Sequence, residues 1–424
     1  MQSKTKISIK HRLAEISKSV KICLKQILTG SENGAPERSE QHHFRNFEIC
    51  ILERIFMKFT ADRNLLSEAI INASKVTATH SSIPALEGIL INLKGNKLTV
   101  TGYDLDSGIK NMIPVISADE EGEVVLNAKL IADMLKKMPS GFPIEITCEN
   151  ETNVTIKCDT VEFKLTGVSG NNYPNLPEMS LETSFTIKEN VLKSMIRQTV
   201  FAVAQNDLKP ILTGVLFEIK DNVFNMAAVD GVRIALRREK VEYQDLSFVV
   251  PTKILYELLR ILSDEDTGKD ITVIMDRSQV GFNRDDYITF TRLMDGTFID
   301  YTRFTSFNPT SEAVVNARQF ASSLDRVLLL TERFKSPVRC IFENDKLTVN
   351  CNTNLGSIHE DMKISYPNPK LDIAFNARFM MDALRNSECD EVKLQFTNSL
   401  SPIKIVPLSG DDFTYLVMPV KVKD

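Results

Sequence analysis

The chain has 424 residues, 43% hydrophobic and 25% charged, with a formal net charge of -5. That length exceeds one ordinary core and suits about three domains, and the composition is that of a soluble globular protein. No run approaches the ~18 apolar residues of a membrane span, and the seven cysteines lack any CxxC pair, so they read as reduced core thiols of a cytosolic protein. Cys148 and Cys158 flank an expected hairpin, and a bridge between them is the minor alternative. The net charge hides a split. Residues 1–56 hold ten Lys+Arg and six Glu, a balance of +4, which leaves -5 - 4 = -9 on the rest. An acidic body argues against a simple basic DNA-binding domain.

Residues 1–56 begin with a stretch of basic amphipathic pattern, followed by the linker-like GSENGAPERSEQHH. As a targeting peptide the segment carries too many acids. A nucleic-acid or membrane tail is one reading. An unstructured or mis-called extension ahead of a true start at Met57 is the favoured one.

From Met57 the pattern becomes regular. A strand leads into a helix over Asn64–Lys75, with Asn64 or Ser67 as cap and Leu65, Leu66, Ala69, Ile70 and Ala73 as its apolar stripe. The hairpin IPALEGILI follows. A second helix starts at Asn127 and faces Leu130, Ile131, Met134, Leu135 and Met138 inward, and strands around Ile144, Val154 and Val161 complete a first unit. The stretch Lys209–Ala235 then reads as a strand, an Asp221-Asn222 turn and a second strand ending at Asp230-Gly231. Helices are expected over Asn190–Val200, after Pro251 (Ile254, Leu255, Leu258, Leu259 and Leu262 inward), over Arg318–Leu330 and over Asn376–Arg385. Pro251 suits a first helical turn, where no hydrogen bond is lost.

The units repeat. Pro84, Pro210 and Pro337 open equivalent hairpins at steps of 210 - 84 = 126 and 337 - 210 = 127 residues. Asn127, Pro251 and Asn376 open the second helices at steps of 124 and 125. The fold class is therefore α+β in three tandem copies, each with two helices and roughly eight short strands. Their bounds are 57–180, 184–306 and 310–424.

Each helix carries basic residues opposite its apolar stripe: Lys75; Lys129, Lys136 and Lys137; Lys193 and Arg197; Lys253 and Arg260; Arg318 and Arg326; Arg378 and Arg385. Six cationic helices in an acidic body suit a polyanion held by charge, without sequence readout. No aromatic residues interleave them for base stacking. Catalytic signatures are missing: no Walker loop, HExxH or GxSxG occurs. The acids DLD at 104–106 and DED at 264–266 read as turn acids before they read as Mg²⁺ ligands. A protein-binding scaffold with solvated cations, or an enzyme assembled from scattered acids, stays open at this level.

MKFT, KPILTGVLFEI, AAVDGVRIALRRE, FVVPTKILYELLRIL, LMDGTFIDY and YLVMPV, in this order from Met57 to the C-terminus, resemble the bacterial DNA polymerase III beta subunit, the sliding-clamp family. The resemblance implies three DNA-clamp (processivity-fold) domains, each with two helices on antiparallel sheets. Two chains would join head to tail in a ring around duplex DNA, without catalysis, metal or cofactor. It implies a peptide groove at Leu212, Val229, Gly231, Val232, Arg233, Ile234, Ile299, Arg303, Phe304, Leu400, Leu416, Val417, Met418, Pro419 and Val420, an apolar cleft edged by two arginines. Val229, Val232 and Ile299 depart from the usual pattern. It further implies DNA contacts at His80, Asn206 and Lys209 beside the helix cations, and a ring joint of Phe163 and Leu165 against Leu329 and Leu330. The implied partners are double-stranded DNA without sequence preference, a second copy, and proteins bringing short linear motifs. Those proteins are the replicative polymerase alpha subunit, the clamp loader, other polymerases, mismatch-repair proteins and ligase. The implied place is the cytoplasm, at the nucleoid, and no membrane is involved.

Overall fold

The computed structural model describes residues 55–177, 183–205, 209–306, 308–331 and 337–421. The expectations for residues 1–54 and for Asn206 lie outside them.

In the first repeat β1 (Ile55–Ala61) begins ahead of the expected Met57 and leads into α1 (Arg63–Ser74). The trio β2 (Gly88–Lys94), β3 (Lys97–Tyr103) and β4 (Ser107–Pro114) follows. Then come β5 (Ser117–Glu120), β6 (Gly122–Asn127), α2 (Ala128–Lys137), β7 (Ile144–Glu149), β8 (Asn153–Cys158), β9 (Val161–Thr166) and β10 (Val168–Ser169). The second repeat runs β11 (Ser184–Lys188), α3 (Glu189–Val200), β12 (Gly214–Lys220), β13 (Val223–Val229), β14 (Arg233–Lys240) and β15 (Leu246–Pro251). It continues α4 (Thr252–Ile261), β16 (Asp270–Met275), β17 (Gln279–Arg284) and β18 (Tyr287–Arg292). The third has β19 (Ser311–Asn316), α5 (Ala317–Leu328), β20 (Val338–Glu343), β21 (Lys346–Thr353), β22 (Gly356–Lys363) and β23 (Leu371–Phe375). It ends α6 (Ala377–Arg385), β24 (Glu391–Phe396), β25 (Ile403–Val406) and β26 (Phe413–Val417). Two long helices per repeat stand as expected; the described strands number ten, eight and eight.

Local chemistry sets the helix ends. Asn127, Asn316 and Asn376 each cap a helix by accepting a backbone N–H. At α1 the cap is Asp62, whose Oδ1 accepts from Asn64 and Leu65 at 2.8 and 3.0 Å, in place of the expected Asn64 or Ser67. Pro251 is the residue before α4, not its first turn. Leu65 and Leu130 do not face inward: they are 42% and 48% exposed. Each precedes the true stripe by one residue, about 100° around the helix.

All described sheet pairings are antiparallel, and two sheets cross from one repeat into the next. The nine-stranded sheet runs β10-β6-β2-β3-β4-β18-β17-β16-β11, and the eight-stranded sheet runs β15-β12-β13-β14-β26-β25-β24-β19. In both, the third strand of a repeat's trio bonds to the last strand of the following repeat: Ser107 lies opposite Thr291, and Arg233 opposite Val417. Five strands, β5-β1-β7-β8-β9, form a sheet of their own, as do the four β22-β21-β20-β23. The first core lies under α1 and α2, while the cores of repeats two and three run together. Cys148, Cys158, Cys340 and Cys351 are buried free thiols, so the Cys148–Cys158 bridge is not formed.

Candidate functional site

The connector after β18 carries the chain from the second repeat to the third, and an apolar cluster lies beside it. Leu212, Val229, Ile234 and Leu416 form one buried cluster, with Ala204, Ile211, Phe298 and Ile299 packed against it. The strand ladder assembles this floor: Ile234 of β14 lies opposite Leu416 of β26 and opposite Val229 of β13. Tyr301 anchors the connector, its buried hydroxyl donating to Glu218 Oε2 at 2.6 Å. Burial, then that hydrogen bond, pushes the phenol's pKa up, so it stays a donor.

The rim is exposed and apolar. Val232, Phe304, Met418 and Val420 are each exposed by two fifths or more. Gly231, at φ 90°, makes the turn that presents Val232, and Asp230 Oδ1 braces it by accepting from Val232 and Arg233 N–H. Met418 N–H donates to Val232 O, and Val420 N–H to Ala374 O, which fixes the tail between the turn before β14 and β23. Val417 is buried, and Pro419 bridges to Phe375. Leu400 is exposed on the β24–β25 turn and is not a member of the floor cluster. Arg303 lies on the short helix Thr302–Thr305, exposed and paired with Asp300 at 2.8 Å.

Arg233 does not edge the groove, contrary to expectation. It is only 7% exposed, is bonded to Asp230 and Asp382, and has its guanidinium over the rings of Phe379 and Phe201. Of the two arginines expected to edge the groove, Arg303 is exposed and Arg233 is not.

The helix cations are not a bare positive face. Lys193 is buried and donates to Asp264 at 2.6 Å; Arg197 bonds to both Asp264 and Glu388. Lys253 pairs with Asp104, Lys136 with Asp133, Arg260 with Glu257, Arg318 with Asp390, Arg326 with Glu360 and Arg385 with Asp325. Among the described residues Lys75, Lys129 and Lys137 have no carboxylate partner. Hydrogen bonds from Arg197, then Lys193, hold the Asp264 carboxyl below the usual carboxylate range. Arg378 sits half-buried near the start of α6. His80 and Lys209 are exposed in the loops before Pro84 and Pro210.

The acids expected as turn formers divide. Asp104 Oδ1 accepts from the N–H groups of Asp106 and Ser107, a turn role. Asp264 is instead a partner of the α3 cations, a role no local signal announces, since Arg197 lies 67 residues away. Among the described residues no cluster of His, Cys, Asp or Glu has metal-binding arrangement, and no helix is long and apolar enough to cross a membrane.

At the ends of the array, β9 exposes Phe163 and half-buries Leu165. After α5, Leu329 is 81% exposed and Leu330 half-buried. The free edges β9 and β22 thus each have apolar side chains on or near them, since Leu355 is also exposed at the start of β22.

Comparison with known proteins agrees with this architecture repeat by repeat. The DNA polymerase III beta subunit N-terminal domain matches residues 57–177, its central domain 186–300 and its C-terminal domain 307–421. The beta sliding clamp of Bacillus subtilis is 30% identical over 379 residues, covering 86% of this chain and 100% of the relative. That of Halalkalibacterium halodurans is 31% identical over 381 residues, with the same coverage. The crystal structure of the Bacillus subtilis DNA polymerase sliding clamp superposes with a TM-score of 0.80 at 29% identity, covering 87% of this chain and 100% of that one. The chain belongs to the DNA polymerase III beta subunit family, the beta sliding clamps.

Proposed function

We propose that two copies of this chain close into a ring around duplex DNA, slide along it and tether the replicative polymerase, making synthesis processive. As a sliding clamp the protein is an accessory subunit of the polymerase and not an enzyme.

The observation that carries the ring is the strand arithmetic. Inside the chain, five strands ending in β4 join four beginning with β18, and four ending in β14 join four beginning with β26. Among the described sheets, two edge strands hold the equivalent positions without such a partner: β22, the equivalent of β4 and β14, on a sheet of four, and β9, the equivalent of β18 and β26, on a sheet of five. Pairing β22 of one copy with β9 of another makes a further nine-stranded sheet by the same rule. Unpaired edges invite such pairing. A head-to-tail contact that closes after two copies gives a ring. Retention then comes from topology, so phosphate contacts need only be weak and blind to sequence.

The apolar cluster beside the connector, with its exposed rim, fits a short peptide with apolar anchors, the mode in which a polymerase alpha subunit, clamp loader, repair protein or ligase would dock. Tethering raises the polymerase's effective concentration at the primer end. Such a protein works at the nucleoid.

Light scattering tests the ring: a mass near twice 47.8 kDa is expected. After loading, retention on closed circular DNA with release on linearisation is expected, and equal release from both forms would reduce the protein to an ordinary charge binder.

A further inference from the structure

The α3 cations are held by carboxylates that come from elsewhere in the chain. Asp264 lies in the loop after α4 and Glu388 in the loop after α6, so the cluster spans the second and third repeats. Lys193 and Arg197 both donate to Asp264, while Arg197, Ser194 and Gln198 converge on Glu388. Glu388 sits at φ 57°, the left-handed region that a glutamate rarely adopts. Its position is therefore set by its tertiary contacts and not by its own backbone preference. Two positive and two negative groups make the cluster neutral as built.

We propose that Asp264 and Glu388 are standing counter-ions for Lys193 and Arg197, and that they weaken the grip of this helix face on the phosphate backbone. The inference rests on the clamp reading and deepens it. A free lysine or arginine that meets a phosphate releases a condensed counter-ion, and affinity then falls with salt in proportion to the phosphates neutralised. A cation already neutralised by a fixed carboxylate adds little to that sum. A clamp that holds DNA by encirclement gains from this, because strong local contacts would slow its travel. Asp264 and Glu388 are positioning residues, acting on DNA only through the two cations they hold.

The test is a salt titration of binding to a short linear duplex, comparing the wild type with the Asp264→Asn/Glu388→Gln double variant. The Glu388→Gln change keeps a side-chain oxygen able to accept from Ser194 and Gln198, and thermal melting with light scattering checks fold and assembly. Freed Arg197, the more exposed of the two cations, should steepen the slope of log affinity against log salt by ~0.9 for one phosphate neutralised, while buried Lys193 adds little. Between ~50 and ~200 mM salt this amounts to an extra loss of roughly 3.5-fold. Adding Lys193→Gln and Arg197→Gln to the double variant should return the slope to the wild-type value or below. An unchanged slope in the double variant overturns the proposal. So does a steep slope that persists in the quadruple variant, because the effect would then be general loss of negative charge. Wild-type protein that binds the linear duplex but is not retained on closed circles would instead overturn the clamp reading, leaving the slope comparison intact.

Discussion

Arg233 reaches from the second repeat to Asp382 on α6 of the third, with Nη1 2.9 Å from Asp382 Oδ2 and Nε 2.8 Å from Asp230 Oδ2. Its guanidinium lies 4.5 Å from the ring centre of Phe379 and 5.7 Å from that of Phe201. The residue ties the second repeat to α6 of the third beside the β14–β26 ladder and the shared core. Removing one member of a buried ion pair leaves the other uncompensated. Arg233→Ala should therefore cost about 3 kcal/mol, with part of the loss from lost packing on the two rings. Asp382→Ala should cost less, because Asp230 still faces the cation. A double-mutant cycle by urea denaturation should give a coupling of roughly 1–3 kcal/mol; additive losses would mean the two groups do not act together.

The same arginine shows where the sequence was readable and where it was not. The helical stripes of α2 and α4 and the spacing of Pro84, Pro210 and Pro337 revealed three copies, because periodicity and turn chemistry are local. The floor residues Leu212, Val229, Ile234 and Leu416 came from family resemblance and meet in one cluster. Arg233 enters the groove by family resemblance alone, and its burial depends on α6 docking 149 residues later, which no local pattern announces. Glu388 and Asp264 were invisible as cation partners for the same reason, at separations of 191 and 67 residues from Arg197.

The exposed rim of the apolar cluster should carry peptide affinity without carrying the fold. Phe304 and Met418 are both substantially exposed, so their truncation leaves little cavity. Phe304→Ala and Met418→Ala should each weaken a polymerase-derived peptide by about tenfold, the scale of an interface anchor. Their melting temperatures and dimer mass should stay at wild-type values. Fluorescence anisotropy with the labelled peptide reads the first effect. Loss of stability together with binding would place these side chains in the core.

Leu329 offers the reciprocal experiment at the ring joint. At 81% exposure its replacement by aspartate disturbs no packing inside one copy. Leu329→Asp should shift the scattering mass toward 47.8 kDa while leaving the melting of the single chain within about 0.5 kcal/mol. Peptide binding at the apolar cluster should survive, since the cluster is built by the second and third repeats of one chain. A variant that stays dimeric would move the joint away from α5.

Acid should unpick the carboxylate pairs in a defined direction. Hydrogen bonds from Arg197 and Lys193 hold Asp264 below the usual range, and two from Arg326 do the same for Glu360. A carboxyl whose folded pKa is depressed binds protons more readily in the unfolded chain. Its stabilisation is full above the unfolded value of about 4 and is lost as pH falls through the folded value. Melting temperature should therefore be insensitive to these pairs between pH ~7 and ~5 and fall below about pH 4. Asp264→Asn removes one such group, so its melting temperature should decline less steeply on the acid side than that of the wild type. Both groups are solvent-reachable, so screening keeps the difference small and reduces it further at high salt. Calorimetry from pH 7 to 2 at two salt concentrations checks the direction. A steeper acid decline in the variant would mean that Asp264 is not held ionised by Arg197 and Lys193.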